Sequence, residues 1–230
     1  MRGLAHIGVV KALAEAGIRP AVIAGTSVGS IIGAGLAAGL DWSDLAEMAR
    51  SVFWPSLLRA KYLERFCSVW LPARFSDLRL PFAAIATEIV SMTPVVLNDG
   101  HLAKAISASC AMRVIRRAVM FNGSPLKDGG MACVLPATQC REMGAEFVIS
   151  SDVWELSSVL RGFGLSPRIG RGARVYPRHY RDAVGSSDIL LTPSIPVSGY
   201  VPGAAAVERM IEAGESAVVS AMNHTSANLF

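Results

Sequence analysis

An apolar run, Ala21-Val22-Ile23-Ala24, passes straight through Gly25-Thr26-Ser27-Val28-Gly29 into a tract of small and aliphatic residues that ends at Gly39. The first run is short and β-branched, as in a buried strand, and the second has the length and composition of a helix. Glycines on both sides of Ser27 keep side chains away from the turn, so the helix can pass close to the strand while the serine hydroxyl projects from the bend. The five-residue pattern alone is unspecific in a chain with 21 glycines. Its place between a strand and a helix is what makes Ser27 a candidate nucleophile. A membrane span over 20–40 is the competing reading, since the segment lacks charge and repeats glycine at four-residue spacing; it is poor in the large apolar side chains such a span needs.

The rest of the chain alternates helical and strand patterns. Ile7, Val10, Leu13 and Ala14 recur at helical spacing before Gly17, and "DWSDLAEMAR" reads as a helix with Asp41 as N-cap. Leu45, Met48, Val52, Phe53, Leu58, Tyr62 and Phe66 continue a helical stripe to Trp70. "PFAAIATEI", "PVVL", "EFVISSDV" and "DILLTPSI" read as strands, with helices predicted over "GHLAKAISASCA", "PATQCREMG" and "GAAAVERMIEAGESAVVSAM". Apolar, non-alternating strands separated by helices predict an α/β fold with a central, mostly parallel β-sheet flanked by helices. One domain over residues 1–230 accommodates this, with 52% hydrophobic residues to fill a single core.

Arg161–Ala183 carries six arginines against one acid and is broken by glycine and proline, so it is read as a loop; a C-terminal strand and helix follow over 188–222. This loop, the cluster Arg113, Arg116 and Arg117, and a net charge of +4 point to an anionic partner. An anionic membrane surface, touched peripherally, fits better than nucleic acid, because the basic stretch has few aromatics for stacking and no recognisable motif. The cysteines at 67, 110, 133 and 140 form no CxxC pair and no metal-ligand spacing, so reduced thiols in a cytoplasmic setting and no metal or organic cofactor are expected.

A serine needs a base. His179 and His224 follow Asp128 in an order compatible with a Ser-His-Asp esterase, although only 26 residues precede Ser27. Asp128, in "LKDGG", is the other candidate.

Taken in order, "RGLAHIGVVKALAEAGI", "GTSVGS", "AIATEIVSMTPVVLNDGHLAKAISASCA", "LKDGG" and "VLPATQCREMGAEFVISSDV" resemble the patatin-like phospholipase family, especially its small bacterial members. The similarity is best over 2–153. It implies a three-layer architecture with a nucleophile elbow and a Ser–Asp dyad acting on phospholipid or other lipid acyl esters through an acyl-enzyme. In that scheme Ser27 is the nucleophile within the elbow Gly25, Thr26, Ser27, Val28 and Gly29. Asp128 is the base, and Gly129 and Gly130 let its loop approach the elbow. Gly3 and the Val28 N–H are the oxyanion candidates.

The family's oxyanion glycine run lies upstream of the pair matched here by Arg2 and Gly3, so the natural product is expected to begin earlier, with a strand and a glycine run. Arg113 stands where the family usually has proline, and Cys133 and Val134 where it has asparagine and proline. A member without catalysis that binds lipid or protein is the alternative. Part of Trp42–Trp70, with Phe53 and Trp54, is expected to cap the acyl pocket.

Overall fold

The computed structural model describes residues 2–52, 55–56, 59–112, 115–154, 177–195 and 204–227. A 3₁₀ turn at Arg2–Leu4 leads into α1 (Ala5–Glu15), β1 (Ile23–Thr26), α2 (Val28–Ala38), α3 (Trp42–Ser51) and α4 (Ala60–Trp70). There follow β2 (Phe82–Glu88), β3 (Thr93–Leu97), α5 (Leu102–Ser109), β4 (Val119–Phe121), β5 (Ser124–Asp128) and α6 (Ala137–Glu142). The chain closes with β6 (Ile149–Ser151), α7 (Arg178–Gly185), β7 (Ile189–Leu191) and α8 (Ala204–Ala227).

The fold is α/β, with a central sheet between helices, and β2 organises it. Its residues 82–85 pair in parallel with β1, 84–88 pair antiparallel with β3, and 86–88 pair antiparallel with β5. Ala84 and Ile85 therefore have β1 on one side and β3 on the other, while Ala86 to Glu88 have β5 and β3. It follows that β1 and β5 lie along the same flank of β2, one after the other, with their ends meeting between Ile85 and Ala86. The β4–β5 hairpin extends this arm, and β6 and β7 form a separate parallel pair. Among the described residues β1 pairs with β2 alone, so its other edge is open.

The near-continuous apolar character of β2 reflects burial on both faces. Phe82, Ala84 and Ala86 join the main core with Leu4, Ile31 and Ile106, whereas Ala83 and Ile85 face Ala24, Cys133 and Met143 on the other side. Helix ends follow local chemistry. Asp41 accepts from the Ser43 and Asp44 amides while Asp44 accepts from the Asp41 amide, and Gly39 closes α2 in the left-handed region at φ 94°.

Three sequence expectations are revised. The buried face of α1 is Ala5, Ile7, Gly8, Val9 and Ala12 rather than a stripe through Val10 and Leu13. The reason is α8, whose backbone comes so close that a Cβ on Gly8 would lie 1.8 Å from the Ile211 carbonyl oxygen, and one on Gly214 would lie 2.0 Å from that of Ala5. Small residues permit this approach, and the larger aliphatics flank it. In α4 the buried positions are Leu63 and Cys67, with Tyr62 turned outward. The segment read as a loop through Ala183 is helical from Arg178, where Tyr180 and Ala183 are buried. The remainder of that loop up to residue 176, and Phe53, Trp54 and Arg113, lie outside the described residues. No helix among the described residues is long and apolar enough to cross a membrane.

Candidate active site

Ser27 sits between the last residue of β1 and the first of α2 with φ 54° and ψ −126°, a conformation that costs a non-glycine residue on the order of 1–3 kcal/mol. Its neighbours absorb the bend. A Cβ on Gly25 would come within 2.3 Å of the Gly29 carbonyl oxygen, so the strand and the first turn of the helix meet there in backbone contact. The Ser27 N–H donates to Ser109 Oγ at 2.9 Å, and Ser109 in turn donates to the Ile85 carbonyl at 2.6 Å. This fully buried hydroxyl thereby ties the strained turn to β2. Substituting Ser109 with Ala leaves the Ser27 N–H without its acceptor; a stability loss of about 1–3 kcal/mol is expected, read from denaturant unfolding.

Asp128 arrives from the opposite direction on β5. Thr87 Oγ1 donates to the Asp128 carbonyl at 2.8 Å, and the Asp128 N–H donates to the Ala111 carbonyl at 2.9 Å, fixing its backbone. Gly129 then passes so near β2 that a Cβ would lie 2.2 Å from the Ile85 oxygen, which explains the first glycine of "DGG". With β1 and β5 abutting along β2, Ser27 Oγ donates to Asp128 Oδ2 at 2.8 Å, while the Gly130 N–H donates to Oδ1 at 2.9 Å. A hydroxyl nucleophile in hydrogen-bond contact with a base is the minimal requirement for covalent catalysis.

The electrostatics suit a base. Burial raises the Asp128 carboxyl above its ordinary value, outweighing the hydrogen bonds from Ser27 and Gly130 and the Arg116 charge, which pull it down. Arg116 is itself buried, donating to Ser107 Oγ at 2.7 Å and to the Cys110 carbonyl at 3.1 Å. It is thus interior and not part of an anion-binding surface, which corrects the reading of it within an arginine cluster. The nearby Cys110 thiol is pushed up to about 12 by burial and then by the Asp128 charge, so it stays protonated and does not compete as nucleophile.

A cavity of about 650 Å³ opens over the pair. Its wall includes Gly3, Thr26, Val28, Gly29 and Gly130 and the apolar side chains Met112, Ile115, Met131, Val134, Val153 and Trp154. That volume falls within the usual range for small-molecule sites. Gly3 and Val28, the two oxyanion candidates, are brought together: a Cβ on Gly3 would sit 2.7 Å from the Val28 Cβ. His179 is exposed on α7 and does not line the cavity. The side chain of His224 lies outside the described residues. Sequence reasoning missed Ser109, His6 and Ser151. His6 and Ser151 also line the cavity and hydrogen-bond each other at 2.8 Å. It also missed the hairpin carrying Asp128, although Asn122-Gly123, with φ 47° and 84°, is a strong two-residue turn signal. Among the described residues no group of histidine, cysteine and acidic side chains is placed to hold a metal, and the four cysteines are free.

The arrangement is that of a serine elbow facing a carboxylate beneath an open cavity on an α/β scaffold. The same fold occurs in VipD from Legionella pneumophila, with a TM-score of 0.70 over 97% of this chain and 65% of that one at 10% identity. The family model for patatin-like phospholipase matches residues 1–141, and the chain belongs to that family. It is 31% identical over 171 residues to rat patatin-like phospholipase domain-containing protein 7 and 33% identical over 171 residues to human patatin-like phospholipase domain-containing protein 6. It is also 32% identical over 164 residues to an NTE family protein of Mycobacterium tuberculosis. These matches cover 65–66% of the chain but only 12–13% of the two mammalian proteins and 45% of the mycobacterial one.

Proposed function

We propose that this protein is a carboxylic ester hydrolase that cleaves lipid acyl esters with Ser27 as nucleophile and Asp128 as general base. The observation that carries the reading is the 2.8 Å hydrogen bond from Ser27 Oγ to Asp128 Oδ2 at the floor of a largely apolar cavity. Membership of a family whose relatives include a protein named lysophospholipase NTE1, from Meyerozyma guilliermondii, supports the lipid part of it.

In this mechanism Asp128 takes the hydroxyl proton as Ser27 Oγ attacks the ester carbonyl carbon. The oxyanion of the tetrahedral intermediate forms at the N-terminus of α2, where Val28, the first helical residue, has an N–H with no intrahelical acceptor and the helix dipole favours negative charge. Gly3, packed against Val28, supplies the neighbouring backbone. Collapse breaks the bond to the alcohol, which leaves with the proton from Asp128. Water then enters, Asp128 takes its proton, and the hydroxide attacks the acyl-serine, releasing the fatty acid and returning the proton to Ser27. The protonated intermediate state of Asp128 is accessible because its site disfavours charge. Contact with an anionic membrane remains part of this reading and rests on the sequence alone.

A fluorophosphonate probe tests the nucleophile. Wild-type protein is expected to be labelled at Ser27, and Ser27→Ala not at all; equal labelling of both, or none of either, overturns the hydrolase reading.

A further inference from the structure

Outside the serine and aspartate, the polar side chains lining the cavity are mostly engaged by the protein. Thr26 Oγ1 donates to the Cys133 carbonyl at 2.9 Å. Asp152 accepts from Tyr180 Oη at 2.5 Å and from the Trp154 N–H at 2.8 Å. Ser151 Oγ is held by His6 Nδ1 at 2.8 Å. The other ring nitrogen of His6, Nε2, takes no hydrogen-bond partner among the described residues. It lies over the elbow: a Cβ on Gly29 would be 3.6 Å from His6 Nε2.

His6 stands in the first turn of α1 and Ser151 ends β6, so the pair also ties that helix to the second sheet. Burial lowers the imidazole pKa to about 4, so the ring is neutral at any physiological pH. A neutral ring keeps one N–H. If the Ser151 hydroxyl donates into Nδ1, that hydrogen is on Nε2, where it faces the cavity.

Resting on the hydrolase reading above, we propose that His6 is a specificity-determining contact: with Ser151 fixing its tautomer, its Nε2–H binds an oxygen of the substrate's alcohol portion. An acyl chain has no hydrogen-bonding group and is suited to the cavity's apolar side chains. The polar wall formed by Gly3, His6 and Gly29 suits the other half of the ester. The substrate class is therefore acyl esters of an oxygen-bearing alcohol such as glycerol, preferred over aryl esters of the same acid. A neutral donor recognises an uncharged or charged oxygen alike, so the contact selects for an acceptor and not for a net charge.

The test compares a monoacylglycerol with the p-nitrophenyl ester of the same acyl chain in wild type, His6→Phe, His6→Gln and Ser151→Ala. His6→Phe is expected to reduce the ratio of glycerol-ester to p-nitrophenyl-ester kcat/KM by about tenfold, mainly through the KM for the glycerol ester, with fluorophosphonate labelling reporting that Ser27 is still reactive. His6→Gln, which retains an N–H donor, is expected to recover part of the preference, and Ser151→Ala to weaken it in the same direction. An equal loss on both esters means that His6 only supports the fold and overturns the proposal, as does an unchanged ratio in all three variants. Failure of the wild type to turn over either ester overturns the hydrolase reading first, and this inference with it.

Discussion

Asp128→Asn is expected to lower acyl-ester turnover by about two to four orders of magnitude without unfolding the protein. Asparagine is isosteric, its carbonyl can still accept from the Gly130 N–H, and its amide can still face Ser27 Oγ, so the local geometry survives while the base is lost. The accompanying signature is in stability. Because burial raises the Asp128 pKa, the folded state holds this proton more tightly than the unfolded chain, and the aspartate favours folding most at low pH. That contribution is lost as pH rises through the folded-state value, where the buried carboxylate becomes charged. At pH 7 the variant is therefore expected to melt at or above the wild-type Tm, an exchange of stability for function common at active sites. Wild-type kcat/KM is expected to fall on acidification with an apparent pKa above the ordinary aspartate range. A variant that loses activity and Tm together, or a wild-type acid limb at or below that range, counts against Asp128 as a buried general base.

Gly8→Ala and Gly214→Ala are each expected to destabilise the fold by about 3 kcal/mol or more. Neither residue lines the cavity. At each position the added methyl meets the backbone of the partner helix, 1.8 Å from the Ile211 oxygen or 2.0 Å from the Ala5 oxygen, and no rotamer change relieves a clash with a main-chain carbonyl. The contact must open by helix displacement, disturbing Ile7, Met210 and Ile211 in the core and the Lys11–Glu215 ion pair, 3.0 Å long, beside it. For a chain of this size the corresponding fall in Tm is about 6–12 °C. A fall below about 2 °C in both variants would show that the helices separate without cost.

What the sequence made legible was local. The elbow between β1 and α2, the Asp41 cap and the Gly39 stop each depend on a handful of adjacent residues, and each is where the pattern put it. The side chains that the reading misplaced are governed by partners far along the chain. Val10 and Leu13 looked like the inner face of α1 because they are larger than Ala5, Gly8 and Ala12; nothing near them announces that a helix about two hundred residues later presents bare backbone to that face. Ser109 resembles any serine in "AISASCA", and only the pairing of β2 with β1 reveals that it bridges Ile85 and the strained amide of Ser27. The same holds for His6 and Ser151, which are 145 residues apart. Asp128 was found through resemblance. Its strand was overlooked because "FNGSPLKD" offers a turn but little hydrophobic alternation, and Leu126 is its one fully buried side chain.

The abutment of β1 and β5 on one flank of β2 makes the ladder a measuring scale for the chemistry. Thr26 is opposite Ile85 and Asp128 opposite Ala86, so the gap between Ser27 and Asp128 is set by two independent strand registers read against a single ruler. One step of slippage in β5 would carry Asp128 about 3.3 Å along β2 and turn its side chain to the opposite face. The Asn122-Gly123 turn aligns β4 with β5, while the step that β5 occupies on β2 is held by the pairs Ala86–Asp128, Thr87–Lys127 and Glu88–Leu126. The Ser27–Asp128 contact is thus a digital property of strand alignment, made in one register and lost in its neighbours even with every residue around Ser27 untouched.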